Sequence, residues 1–188
     1  MRQLLFALTT LLTPLVAHAD TQDAVEEPFS AVVKGDFTGD GRIDTAVIVE
    51  DLTGEGLLHL TLSQGQSHKL ENFVWIGGIG QEPWLELTEH GSLLVASQNS
   101  AIGRNRWEQV ITLAHRNDAL RVAGYTFRWY DTLNLDDNGI CDLNLLSGKG
   151  EITLGQGDTS KTIRLTTKSR PVTEWPSDMP KECAALLN

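Results

Sequence analysis

Asp36, Thr38, Asp40 and Asp44 place four oxygen-bearing side chains within one short segment, Asp36-Phe37-Thr38-Gly39-Asp40-Gly41-Arg42-Ile43-Asp44. Such a run is chemistry for a hard divalent cation, since Ca²⁺ takes about six to eight oxygen ligands and a tight turn can wrap it. With Asp36 as position 1, the side-chain oxygens fall at positions 1, 3, 5 and 9. Arg42, at position 7, offers its backbone carbonyl with its side chain in solvent, and Gly41 at position 6 permits a sharp turn that a Cβ would strain. Without a cation, three carboxylates in one turn repel each other and oppose closure. The ion then acts as a clip holding the flanking strands in register. An acidic β-turn without metal is the plainer alternative.

The segment differs from an EF-hand, because position 12 falls on Val47 and strand patterns flank it. It resembles the calcium loop of FG-GAP/VCBS repeats, the integrin-type propeller motif, which reads D-x-N-G-D-G-x-x-D followed by an apolar strand. Asp36 to Asp44 followed by Thr45-Ala46-Val47-Ile48 matches that pattern, with Thr38 where the motif has Asn. The resemblance implies a Ca²⁺ site at Asp36, Thr38, Asp40, Arg42 and Asp44. It covers one repeat of about fifteen residues, whereas a propeller needs several blades. Over nearly the whole chain after residue 19, the sequence resembles a group of uncharacterised exported bacterial proteins. The matching features are Gly77-Gly78, Gly91-Ser92-Leu93, Arg106-Trp107, Ala123-Gly124-Tyr125 and the run from Cys141 to Gly150. That likeness implies a shared fold and carries no activity.

Other constellations are weaker. Asn134, Asp136, Asn138 and Asp142 repeat the 1, 3, 5, 9 spacing around Gly139, with less charge, and a polar hairpin loop before a strand is the plainer reading of them. Glu82, Trp84 and Glu86 would share one face of a strand, two carboxylates beside an aromatic, which is the chemistry of a glycan-active enzyme. Acidic residues at a strand start are more usually solvated. Gly77-Gly78-Ile79-Gly80 lacks the following helix a phosphate cradle needs, and no serine elbow or histidine-paired nucleophile is present. The polar connection from Asn99 to Trp107 carries Arg104 and Arg106 and is either a recognition loop or an ordinary connection.

The elements that must position these residues read as strands. Short apolar or alternating runs at Phe29–Lys34, Thr45–Glu50, Leu57–Ser63, Phe73–Ile76, Trp84–Thr88, Ser92–Ser97, Trp107–His115, Leu120–Tyr130, Asp142–Leu146, Glu151–Leu154 and Lys161–Thr167 are parted by turn residues. About ten strands with turns every 8 to 12 residues predict an all-β, antiparallel single domain, a sandwich, a barrel or a partial propeller-like sheet. Pro180 to Leu187 is the one helix pattern, a short terminal one.

Residues 1–19 read as a signal peptide, with Arg2, an apolar run from Leu4 to Val16, and Ala17-His18-Ala19 as the cleavage site; residues 20–28 form a disordered lead-in to the domain at 29–188. The formal charge of −10, or −11 once Arg2 is removed, and the absence of any Lys/Arg run disfavour nucleic acid and anionic membrane surfaces as partners. Cys141 and Cys183, the only cysteines, form one disulfide if the chain is exported. The sequence therefore predicts a periplasmic or secreted, non-enzymatic, calcium-binding β-module with a binding or structural role, its protein or glycan partner unknown. The alternatives are a glycan-active enzyme using Glu82 and Glu86, or a proteinaceous inhibitor of an exported hydrolase presenting the Asn99–Arg106 loop.

Overall fold

The structure, a computed structural model, describes residues 29–50, 55–77, 80–155 and 160–187; the signal peptide and lead-in lie outside the described residues. The described residues form eleven strands in two antiparallel sheets. The smaller is β1 (Phe29–Gly35), β2 (Asp44–Glu50), β3 (Gly56–Thr61) and β4 (Ser67–Val74), a four-stranded meander in chain order. The larger has seven strands, again in chain order: β5 (Trp84–Leu87), β6 (Leu93–Asn99), β7 (Asn105–Arg116), β8 (Ala119–Asp131), β9 (Asn138–Asn144), β10 (Lys149–Leu154) and β11 (Ser160–Arg164). Neither sheet closes into a barrel.

The alternation that marks these strands also builds the core. On the larger sheet Leu93, Val95, Ile111, Leu113, Val122, Tyr125 and Leu143 face inward, and on the smaller Ala46, Ile48, Leu58 and Leu60 do the same, all in one continuous apolar cluster. The β7–β8 hairpin turns on Asn117 and Asp118, with φ of 53° and 58°. A two-residue loop with both φ positive is a type I′ turn, whose twist suits the flanking strands. A bulge between Thr112 and Leu113 shifts the register near its tip.

Four strands cover only part of a seven-stranded sheet. After β11 the chain returns across the remaining inner face as a strap. Its Leu165, Val172 and Cys183 are buried in the core, and Trp175, Met179 and Leu186 pack against it. The strap contains a single 3₁₀ turn (Val172–Glu174) and the one helix among the described residues, α1 (Lys181–Ala184), a single turn inside the expected Pro180–Leu187 segment. Its anchors are the Cys141–Cys183 disulfide, which closes a 42-residue separation, and the Glu182 carboxylate. A loop of that size is worth about 4 kcal/mol on the chain-entropy model. Among the described residues no helix is long and apolar enough to cross a membrane.

Glu182 accepts from the backbone N–H of Thr166 (2.8 Å) and Thr167 (2.9 Å) and from both threonine hydroxyls. Burial pushes its carboxyl up, but these four donors outweigh it and hold the pKa at about 2, below the ordinary 4.5. A depressed carboxylate stabilises the fold above its unfolded pKa and loses that contribution as pH falls through the folded value. Glu182→Gln is therefore expected to melt below wild type at neutral pH, with the gap narrowing between pH 4.5 and about 2. Melting curves of both proteins across that window check this, and a gap independent of pH would contradict it.

Candidate functional site

The Asp36–Asp44 segment joins β1 to β2 as a tight loop, with Gly39 and Gly41 at φ of 78° and 79°, values that side-chain-bearing residues rarely adopt. Each carboxylate in it has N–H donors. Asp36 Oδ1 accepts from the backbone of Gly39 (2.6 Å) and Asp40 (3.1 Å), and Oδ2 from Gly41 (2.7 Å). These bonds, Gly41's foremost, hold its carboxyl below the usual range.

Asp44 is fully buried, with Oδ2 accepting from Phe37 (3.0 Å) and Thr38 (2.9 Å) and Oδ1 from the backbone of Ser63 (2.8 Å). It thereby ties the β1–β2 loop to the turn after β3. Asp40 accepts from the Ser63 hydroxyl (2.7 Å), from Arg42's backbone (2.9 Å) and guanidinium (2.9 Å), and more distantly from Gln64 (3.4 Å). The Ser63 hydroxyl, with Arg42 and Gln64 behind it, holds the Asp40 carboxyl far below its ordinary value.

One expectation changes here. The aspartates do not simply repel one another in the absence of a cation, because backbone donors from the same loop compensate them. The Arg42 side chain stays largely in solvent, 60% exposed, as expected, while its guanidinium also reaches Asp40.

The fit to Ca²⁺ rests on what these bonds leave over. Thr38 Oγ1 is buried without a hydrogen-bond partner, at the position the calcium motif reserves for its third-residue ligand. A carboxylate has about four acceptor directions, and Asp36 and Asp44 each use three. Among the described residues no three His, Cys, Asp or Glu side chains converge as a metal-holding group. What remains to offer a hard cation is mixed oxygen, one direction each on Asp36 and Asp44 with the Thr38 hydroxyl and the Arg42 carbonyl, whereas Asp40 is already taken up by Ser63, Arg42 and Gln64.

The second spacing match does not survive. Asn138 opens β9 and Asp142 lies four residues along the same extended strand, about 13 Å away. Asn138 instead donates to the Leu135 carbonyl, and Asp142 accepts from the Thr126 hydroxyl (3.0 Å). Those residues cannot enclose one ion.

Glu82 and Glu86 are both exposed, and neither lines any of five surface clefts. The Gly80 N–H holds the Glu82 carboxyl below its ordinary value, opposite to the elevation a glycosidase acid needs. Gly78 and Ile79 of the glycine-rich run lie outside the described residues.

The Asn99–Trp107 segment has a defined shape. The Asn99 amide braces loop 100–104 from within, donating to the carbonyls of Ile102 and Asn105 (both 2.9 Å) and accepting from the Ile102 N–H (2.8 Å). Buried Gln81 accepts from the Ser100 N–H (2.7 Å). Loop 132–137 lies alongside, joined by Thr132 N–H to the Arg104 carbonyl (3.0 Å) and by Arg104 Nε to Asp131 (2.7 Å). The Arg104 bond is the main reason Asp131 sits low in pKa and Arg104 high. From these two loops Ile102, Leu133 and Leu135 project, 52%, 78% and 62% exposed. Sequence reading marked the first loop as a candidate recognition loop and the second only for its polar residues, because its leucines sit in a polar run and the bonds of Arg104 to Asp131 and Thr132 that join the loops leave no trace in sequence.

Comparison with family models, with curated proteins and with solved structures finds no match.

Asp44 now carries a defined expectation. Its removal leaves three backbone N–H groups in the interior unsatisfied, at about 1–3 kcal/mol each before relaxation. In chelator, Asp44→Ala should lose at least as much stability as the core truncation Ile48→Ala, about 2–5 kcal/mol. Urea unfolding of the two variants decides this, and near-wild-type stability of Asp44→Ala would refute the bridging role.

Proposed function

We propose that this chain is an exported, non-enzymatic β-module, clipped by Ca²⁺ at Asp36–Asp44, that binds another protein through the paired loops 100–104 and 132–137. The observation that carries the reading is the loop pair: three large apolar side chains held in solvent on a frame of internal hydrogen bonds. Exposed apolar groups on a pre-shaped surface favour association, because little conformational entropy is lost on docking. The acidic balance of the chain directs it toward a partner of basic or neutral surface. The disulfide is compatible with an oxidising extracellular compartment, which supports periplasmic or secreted placement.

When bound, Ca²⁺ supplies positive charge to a loop carrying three carboxylates. Asp36, Thr38, the Arg42 carbonyl and Asp44 would hold it, with Asp40 once released from its present partners, while the Asp44 bonds to Phe37, Thr38 and Ser63 keep the loop shaped around it. A second reading, inhibition of an exported hydrolase, draws support from the Asn99 bracing, since a loop that must enter an enzyme cleft has to keep its conformation there.

Extracellular calcium modules bind with Kd near 10⁻⁴ M, so ~1 mM Ca²⁺ should stabilise by about 1.4 kcal/mol. Melts with Ca²⁺ and with chelator are expected to differ by several degrees, and Asp40→Ala should abolish the difference; identical wild-type melts would remove the calcium assignment. For the binding reading, Ile102→Asp and Leu133→Asp should melt like wild type yet lose a partner that wild type retains from an envelope extract. Unchanged capture by both variants would exclude the loop pair. Inhibition of a panel of exported hydrolases, abolished by the same substitutions, would select the second reading.

A further inference from the structure

The β7–β8 hairpin carries a row of aromatic side chains on its inner face beyond the apolar core. Trp107 meets Trp75, which follows β4, with ring centroids 5.2 Å apart and planes tilted by 55°. On its other side Trp107 lies 6.2 Å from Phe127, and Phe127 lies 5.9 Å from Trp129. Glycines close both ends, for a Cβ at Gly77 would collide with the Trp75 ring and one at Gly139 with Trp129. The row is thus fixed by packing along its length.

Two clefts open along it and share Trp107. One, about 440 Å³, has Trp75 and Trp107 as walls with Ser97, Gln109, Asn72 and Ser177 around it. The other, about 310 Å³, continues past Trp107 over Phe127 and Trp129. Both volumes fall in the range of small-molecule sites, which combine aromatic walls with a few oriented polar groups.

In the larger cleft the polar groups are set by their neighbours. The Tyr125 hydroxyl donates to Gln109 Oε1 (2.8 Å), which turns the amide so that Nε2, with no hydrogen-bond partner among the described residues, is left to donate. The Trp75 backbone N–H donates to Ser97 Oγ (3.1 Å), leaving the Ser97 hydroxyl hydrogen as a second donor. Glu55 borders the same cleft, and Arg106, Asp131 and Asp137 line the adjoining one, where Asp131 pairs with Arg104. Charges of both signs therefore lie along the groove, and no single sign dominates it. What fits is a ligand with apolar ring faces, hydroxyl edges and no net charge, long enough to pass from one cleft to the next.

We propose that this groove is a binding site for a neutral oligosaccharide, with a sugar ring resting against the partly exposed Trp75 indole beside Trp107 and with Gln109 Nε2 and the Ser97 hydroxyl donating to its oxygens. The groove is separate from the calcium loop; its smaller cleft borders the paired loops at Asp131 and Asp137, but Trp75, Ser97 and Gln109, which make the proposed contacts, lie outside those loops.

Isothermal titration calorimetry of the full mature chain tests it, with glucose oligomers, N-acetylglucosamine oligomers and oligolysine as probes. Binding of at least one neutral oligomer is expected. Gln109→Met, which removes the donors at similar volume, should weaken it about tenfold, the worth of one lost hydrogen bond. Trp75→Ala should weaken it further, whereas Trp84→Phe, outside the groove, should leave it unchanged. Melting curves establish that the variants are folded, and if Trp75→Ala is not, Gln109→Met alone decides. No heat with any neutral oligomer, undiminished binding in the groove variants, or binding of oligolysine alone would overturn the proposal.

Discussion

A seven-stranded sheet presents about 14 Å more inner face than a four-stranded one can cover, at about 4.8 Å per strand, and much of the molecule's remaining architecture follows from that mismatch. The C-terminal strap fills the deficit in width, burying Val172 and Cys183 and packing Trp175 and Met179 against the core. The strap has only a 3₁₀ turn and one α-helical turn of its own to hold it, so it depends on fixed points: the disulfide to Cys141 in β9 and the Glu182 carboxylate on Thr166 and Thr167. There is a deficit in length as well. The β7 and β8 strands have 12 and 13 residues against six to eight in the smaller sheet. The part of the hairpin that overhangs is closed by the aromatic row instead of a second layer, and the clefts lie where that closure is incomplete.

At the opposite end of the smaller sheet, one carboxylate organises three chain segments. Asp44 sits at the first residue of β2, yet its bonds reach back to Phe37 and Thr38 and across to Ser63. A group placed this way serves two ends without conflict. Its hydrogen bonds shape the loop before any ion enters, and a loop already shaped has less entropy to lose when one does. The calcium reading and the structural reading of the loop therefore reinforce each other.

Most strands were legible because they alternate or run apolar between turn residues, and the cysteine pair was legible because it is the only one. Polar character concealed the rest. Ser67 to Asn72 reads as loop from sequence, yet it belongs to β4, an edge strand with hydrogen-bond partners on one side and solvent on the other, where polar residues carry little penalty. Asn138 to Ile140 was hidden in the same way at the start of β9, which is why the second metal-like spacing looked plausible. The five loop positions of the candidate calcium site were readable from spacing, but the donors compensating them were not, since backbone N–H groups leave no trace in a sequence. Trp75, Trp107 and Trp129 lie far apart along the chain, and only strand pairing brings them into one row.

That row has an optical consequence. Three of the chain's five tryptophans stand in it, and the Trp75 and Trp107 indoles are close enough for their electronic transitions to couple. The near-ultraviolet circular dichroism of the protein is thus weighted toward the overhanging end of the larger sheet. Loop Asp36–Asp44 holds no tryptophan or tyrosine and is nearly silent in the same spectrum. Spectroscopically the two ends of the molecule are separable without any label, the aromatic end by its own chromophores and the acidic end by a single tryptophan placed at Phe37.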